Sequence, residues 1–223
     1  MKQLVLDIRP DAPPTLGNFI VGSNDELVAA LTAVAGGNTH LYLWGPQGSG
    51  RTHLLRAAVA AAIDVGRPAA YVAAAEVGEA LPQTPGALLA VDDLDALDAA
   101  AQVALFNAFN RSRANGQTLL LAGAAAPLGL ALREDLRTRV GQCLVYEVQP
   151  LDDEARAAIL RTLAERRGLR LADEVGDFLL RHGRRDLPSL LAVLDALDAA
   201  SLERKRAVTL PLLREMMQAG LDI

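Results

Sequence analysis

The sequence predicts an α/β protein, a five-stranded parallel sheet flanked by helices, followed by an all-α domain. Three observations carry that prediction. Short apolar runs alternate with helical patterns between residues 24 and 148, the grammar of a parallel sheet with crossover helices. The first apolar run enters a Gly-rich turn that opens directly into a helical pattern. Beyond Pro150 the strand-like runs cease and four helical patterns follow in succession, so a domain boundary is expected there.

The elements follow in order. Residues 1–15 read as an extended arm, because Met1–Ile8 has no helical stripe and Pro10, Pro13 and Pro14 exclude a helix soon after. Residues 16–150 form the α/β domain. Asn24–Val34 places Leu27, Val28, Leu31 and Val34 at helical spacing, and Gly36–Gly37 ends that helix. His40–Trp44 is the first strand, and the alanine-rich stretch Thr52–Ile63 is the helix after the Gly-rich turn, stopping near Gly66. Ala69–Val72, Ala87–Val91, Thr118–Leu121 and Cys143–Val148 complete the strands, with a helix at Ala99–Arg113. Residues 151–223 form the all-α domain, with helices at Asp152–Arg167, Asp173–His182, Leu187–Arg204 and Leu210–Gln218. Leu190, Leu191, Val193 and Leu194 are its core positions.

Composition narrows the function classes. With 51% hydrophobic and 22% charged residues over 223 positions, the chain has the makeup of a packed globular protein. Apolar runs are too short for a bilayer span, and the N-terminus lacks the apolar stretch of a secretory signal. The single cysteine, Cys143, cannot form an internal disulfide, which fits a cytoplasmic location. The three histidines are far apart in sequence and carry no metal-ligand spacing. Residues 1–110 hold 5 Lys+Arg against 11 Asp+Glu, whereas residues 111–223 hold 17 against 16. A net charge of −5 argues against broad, autonomous binding to nucleic acid, which needs many neutralised phosphates.

The strongest local signal is Gly45-Pro46-Gln47-Gly48-Ser49-Gly50-Arg51-Thr52. It fits the phosphate-binding pattern G-x-x-x-x-G-K-[ST] except for Arg51 in the lysine position. Gly45, Gly48 and Gly50 let backbone N–H groups curl around phosphate oxygens, with Ser49 between them, ahead of a helix whose N-terminal dipole favours an anion. Arg51 supplies the cation, longer and planar where lysine is compact. The Thr52 hydroxyl is a Mg²⁺ ligand by the same pattern.

A second element lies about forty residues downstream. Leu88-Leu89-Ala90-Val91 runs into Asp92-Asp93, an apolar strand ending in paired acids. In P-loop nucleotidases an Asp at this strand end holds Mg²⁺. Asp92 takes that role here, and Asp93 stands where a water-orienting acid sits. Taken alone, such acids also serve as turn residues or helix caps.

Together these features resemble an AAA+ P-loop module with a five-stranded parallel sheet and a C-terminal all-α lid, with nucleotide between the two. The stretch Asn18-Phe19-Ile20-Val21-Gly22-Ser23-Asn24 is similar to the segment that lines the adenine pocket in the DnaA family of replication initiators. Gly50-Arg51-Thr52-His53-Leu54-Leu55 resembles that family's G-K-T-H-L-L. Asp135-Leu136-Arg137-Thr138-Arg139 and Val145-Tyr146-Glu147-Val148-Gln149-Pro150-Leu151 resemble its arginine-finger segment and lid entry. The likeness ends with the lid, so no counterpart of the DnaA DNA-binding helix-turn-helix is expected. What remains resembles the Hda branch of the family, the regulatory inactivators of DnaA, in which arginine also occupies the P-loop lysine position. Gln3-Leu4-Val5-Leu6-Asp7-Ile8 is similar to that branch's peptide for the DNA polymerase sliding clamp, anchored by an amide and spaced aliphatic side chains.

The resemblance implies specific roles. Phe19, Ile20, Gly45, Gly48, Ser49, Gly50, Arg51, Thr52, His53, Asp92, Asp93 and Arg185 would bind ADP (or ATP), with Thr52 and Asp92 on Mg²⁺. Gln3, Leu4, Leu6 and Ile8 would hold the clamp, and DNA would be engaged only through it. Arg139, with Arg137 as the substitute, would enter the nucleotide site of the partner DnaA AAA+ domain. Two departures matter. The stretch Leu121-Ala122-Gly123-Ala124-Ala125-Ala126-Pro127 lacks the polar sensor usual after the fourth strand. The second sensor arginine would align near Pro188, with Arg184 or Arg185 the nearest cations. Loss of two γ-phosphate contacts weighs against self-catalysed hydrolysis and for inactivation of a partner. A self-sufficient ATPase or replication loader, and a non-catalytic DnaA-like adaptor, are the alternatives; a homo-oligomer is left open.

Overall fold

The computed structural model describes residues 13–182, 187–204 and 206–221. The arm residues Gln3, Leu4, Leu6 and Ile8, and Arg184 and Arg185, lie outside the described residues. The chain divides into two compact units, Pro13–Pro150 and a second that includes residues 151–221.

The first unit is built on strands β1 (Leu41–Trp44), β2 (Ala69–Ala73), β3 (Leu88–Asp92), β4 (Thr118–Gly123) and β5 (Leu144–Glu147). Their order is β2-β3-β4-β1-β5 and every pairing is parallel. Helices cover both faces, so alternate side chains enter two different cores, where a half-exposed sheet would alternate core and water. Leu41, Leu43, Leu88, Ala90, Leu120 and Ala122 pack with Leu27 and Leu31 of α1 (Asp25–Val34) and Leu54 and Leu55 of α2 (Arg51–Asp64). On the other face Tyr42, Leu89, Val91, Leu119 and Leu121 pack with Leu105 and Phe109 of α3 (Ala99–Asn115) and with Leu136 and Val140 of α4 (Glu134–Gly141).

Local chemistry sets the helix ends. The Asp98 carboxylate accepts from the Ala101 N–H at 2.8 Å and starts α3, and Gly116 ends it. Helix α4 was not expected from the sequence, where this stretch carried only the arginine-finger resemblance. Its eight residues hold two buried apolar positions, Leu136 and Val140, too few to make a helical period legible among charges. The apolar run Cys143–Val148 reads as a buried strand, but β5 is an edge strand with one neighbour, and Leu144 and Val145 are 49% and 39% exposed. Cys143 precedes it, half-buried, with its thiol directed to the Arg139 carbonyl at 3.6 Å.

Two polar side chains join distant segments of this unit. Asn24 is buried, donating to the Val21 and Gln149 carbonyls and accepting from the Gln149 N–H at 2.8 Å. Arg67 donates to the carbonyls of Val34, Ala35, Gly37 and Gly86 and to the Thr118 hydroxyl. It thereby ties the end of α1 to the starts of β3 and β4.

The second unit consists of α5 (Asp153–Arg166), α6 (Asp173–His182), α7 (Leu187–Arg204) and α8 (Leu210–Gln218). Leu160, Ala164, Val175, Leu179, Val193, Leu194, Leu197 and Leu213 form its core. Asp152 caps α5 through the Ala155 N–H at 2.7 Å. Arg204 and Arg206 are paired to Glu215 at 3.0 and 3.2 Å; half-exposed pairs of this kind contribute little stability.

Candidate functional site

The turn Gly45–Gly50 joins the end of β1 to the first residue of α2, so the strand aims the chain at a helix N-terminus whose first N–H groups are free of intrahelical partners. Gly50 has φ +96, and a Cβ there would stand 2.8 Å from the Phe19 ring. Glycine is required twice over, by conformation and by space. Phe19 also lies 5.7 Å from the His53 ring, and His53 Nε2 is 3.1 Å from the Thr15 carbonyl. Phe19 and His53 thus meet at the loop, while Ile20 is exposed beside them.

Within the loop, Arg51 Nη1 and Ser49 Oγ are buried with no hydrogen-bond partner among the described residues. Buried polar atoms of this kind are uncommon; Arg111 Nε and Nη2 in α3 share the condition, and what distinguishes Ser49 and Arg51 is their place in the Gly-rich loop. Thr52 Oγ donates to Asp92 Oδ2 at 2.6 Å, and the Tyr71 hydroxyl donates to the same oxygen at 2.8 Å. The Asp93 N–H donates to Asp92 Oδ1 at 2.9 Å. Asp92 is only 6% exposed. Asp93 is exposed, with φ 58, and starts a short 3₁₀ turn. A hydroxyl and a carboxylate in contact are hard oxygen donors, and Mg²⁺ characteristically uses one or two carboxylates together with phosphates and water. Among the described residues there is no cluster of three or more His, Cys, Asp or Glu that would hold a metal unaided. The donor set therefore fits Mg²⁺ carried with a phosphate chain: Thr52 and Asp92 for the metal, the loop N–H groups, Ser49 and Arg51 for the phosphates.

The end of β4 is built differently. Gly123 carries no side chain, and a Cβ there would stand 2.5 Å from the Tyr42 hydroxyl. That hydroxyl donates to the Ala125 carbonyl at 2.5 Å, and Asp95 Oδ2 accepts from the Ala124 N–H at 2.6 Å. Burial pushes the Tyr42 hydroxyl well above the usual tyrosine range; the Asp95 charge adds to this and Arg51 opposes it. Tyr42 is thus a permanent donor, and the loop offers side-chain methyls only.

Arg139 stands in the last turn of α4, ahead of the start of β5. Since β5 runs parallel to β1, this is the opposite edge of the sheet from the Gly-rich loop. The guanidinium donates to Asn110 Oδ1 at 3.3 Å and lies 5.9 Å from the Phe106 ring. Arg133 pairs with Asp135 at 2.7 Å. Cys143 is no nucleophile, because burial pushes its thiol up to about 12. Three residues that shape the site, Tyr42, Tyr71 and Asp95, were not singled out in the sequence. For the tyrosines a signal existed: a hydroxyl in an apolar strand needs a partner.

Residues 153–217 match the family described as Hda, lid domain. A protein of Haemophilus influenzae described as uncharacterised is 34% identical over 229 residues, spanning 97% of this chain and 98% of the relative. Domain III of the Thermotoga maritima initiator DnaA superposes with TM-score 0.79 at 21% identity, over 96% of this chain and 100% of that one. AMPPCP-bound DnaA from Aquifex aeolicus gives 0.74 at 21%, over 94% and 70%. A mutant Thermotoga maritima RuvB gives 0.75 at 19%, over 95% and 76%. The sheet order, the loop and the helical second unit are those of an AAA+ module, and this chain belongs to the Hda/DnaA-related family of AAA+ proteins.

Proposed function

We propose that this protein is a regulatory inactivator of the replication initiator DnaA, acting in the cytoplasm. The observation that carries the reading is the match of residues 153–217 to the Hda lid family, on a chain whose first unit retains a phosphate and metal cradle. The protein binds ADP with Mg²⁺: the loop N–H groups, Ser49 and Arg51 hold the phosphates, Thr52 and Asp92 the metal, and Phe19 and His53 flank the base. Binding of AMPPCP by the Aquifex aeolicus neighbour supports a nucleotide ligand. Residues 1–15 tether the protein to the sliding clamp through Gln3, Leu4, Leu6 and Ile8, and through the clamp to DNA.

Arg139 acts in trans. An arginine delivered to a partner's γ-phosphate stabilises charge in the transition state and is worth roughly 10³–10⁵ in rate. Its position at the strand-start edge, away from its own loop, supports use on a neighbour. The β4 loop of alanines supports weak hydrolysis by the protein itself, since no side chain there can contact a γ-phosphate.

The test is the ATP turnover of DnaA with this protein, clamp-loaded DNA and ADP, each omitted in turn. Wild-type protein should accelerate turnover only with all present, and Arg139→Ala should keep ADP and clamp binding yet fail to accelerate. Wild-type acceleration by Arg139→Ala would refute the finger at this residue. Steady turnover by the isolated protein would favour the self-sufficient ATPase.

A further inference from the structure

We infer that Tyr71 is a positioning residue for the metal half of the nucleotide site, acting through Asp92. The inference rests on the nucleotide reading above and adds a residue that belongs to none of the loop motifs. Tyr71 lies on β2, paired in register with Ala90, so its side chain shares a face with Ala90 and Asp92. That face packs against α2, where the Arg56 guanidinium sits 4.1 Å over the Tyr71 ring. The ring is thus held between a cation on α2 and the sheet, and its hydroxyl reaches Asp92 Oδ2 at 2.8 Å.

The hydrogen-bond inventory shows what this contact does. Asp92 Oδ2 accepts from both Thr52 and Tyr71, which uses both of its lone-pair directions. Oδ1 accepts only the Asp93 N–H, leaving one direction uncommitted among the described residues. Tyr71 therefore holds Oδ2 in place and leaves Oδ1 as the oxygen with capacity for the metal or its water. A side chain that fixes a ligating carboxylate in this way raises metal affinity without touching the metal, and its loss costs about 10–100-fold. Thr52 alone cannot do the same, because its hydroxyl oxygen is itself a metal donor and its O–H direction follows the metal.

The experiment uses the full chain, ADP and MgCl₂. Tyr71→Phe removes the hydroxyl and keeps the ring under Arg56. Calorimetric titration of ADP with EDTA should give the wild-type affinity, and the circular dichroism spectrum should be that of the wild type. Titration of MgCl₂ into the ADP-loaded variant should give at least about tenfold weaker binding than wild type. Equal Mg²⁺ affinity in variant and wild type would overturn the inference and leave the nucleotide reading standing. Absence of ADP binding by the wild type would remove that reading and this inference with it. A second measurement does not depend on the variant: in wild-type protein the Tyr71 ring resonances, assigned by NMR, should respond to Mg²⁺ added to the ADP-loaded state. Resonances that stay fixed on that addition would overturn it equally.

Discussion

Two arginines at opposite edges of one sheet make the most instructive contrast in the molecule. Arg67, at the strand-start edge, is spent: four carbonyls and a hydroxyl take its donors. Arg51, at the strand-end edge, holds a buried Nη1 that no described residue accepts from. Both guanidinium groups are half-buried, so each loses part of its hydration. One recovers it inside the fold, and the other would do so on the phosphate of the proposed nucleotide. His40 extends the pattern at the strand-start edge. Its Nδ1 accepts from the Leu119 N–H at 3.0 Å and its Nε2 meets Ser112 Oγ at 3.1 Å, so both ring nitrogens are committed. Arg67 and His40 are committed at the strand-start edge, where Gln117 Oε1 is nonetheless buried without a partner among the described residues, and at the strand-end edge Arg51 Nη1 and Ser49 Oγ are unpaired.

The contrast breaks first at Arg67. Arg67→Met would strand several backbone carbonyls at once, and each lost partner costs about 1–3 kcal/mol. We expect about 3 kcal/mol less stability by urea denaturation, with ADP affinity of the folded fraction unchanged. A loss under 1 kcal/mol would show that water replaces the guanidinium.

Arg51→Met probes the strand-end edge and should do the reverse. The thermal midpoint without nucleotide should hold, because the half-buried guanidinium has no Nη1 partner to lose among the described residues. ADP affinity should fall about 10–100-fold, in line with a lost charge-assisted contact of roughly 1.5–3 kcal/mol. If stability falls as far as in Arg67→Met, both arginines are structural and the contrast is wrong.

The smallest effect is a pH dependence at His40. Burial lowers its pKa below the usual histidine value near 6.5. The folded state therefore holds it neutral while the unfolded state takes up a proton first. The stability it contributes is fully present above the unfolded pKa and is lost as pH falls from about 6.5 through the folded value. The slope cannot exceed about 1.4 kcal/mol per pH unit for one proton. Stability measured from pH 7.5 to 5 should fall more steeply for wild type than for His40→Asn, whose amide oxygen can still accept from Leu119. Parallel curves would assign the pH dependence to other groups.

The Gly-rich loop, the acidic end of β3 and the alternation of strands and helices were legible in the sequence because each is a local pattern. Gly48 and Gly50 are required within a few residues by positive φ, Thr52 by the chemistry of the same pattern, and Asp92 ends a short apolar run of strand length. The edge position of β5 was not legible, since Leu144-Val145-Tyr146 has the same apolar character as a central strand and only pairing order decides exposure. Helix α4 escaped for want of a third apolar position. The roles of Tyr71, Asp95 and Arg67 depend on contacts 21, 29 and 51 residues apart, separations no period describes.

What the sequence by itself determined is the module: a strand, a Gly-rich turn and a helix constrain one another so tightly that few other arrangements satisfy the backbone. What only the tertiary structure decided is which polar groups are used up and which are left over. Arg51 and Arg67 are the same side chain with the same charge, each beside a chain-reversing glycine. Among the described residues the fold brings four carbonyls to Arg67 and none to Arg51 Nη1, because the strand starts gather carbonyls from the end of α1 and the loops before the strands, whereas a helix N-terminus presents N–H groups. Arg51 Nη1 meets no acceptor among the described residues, and the phosphate of the nucleotide proposed above would supply one.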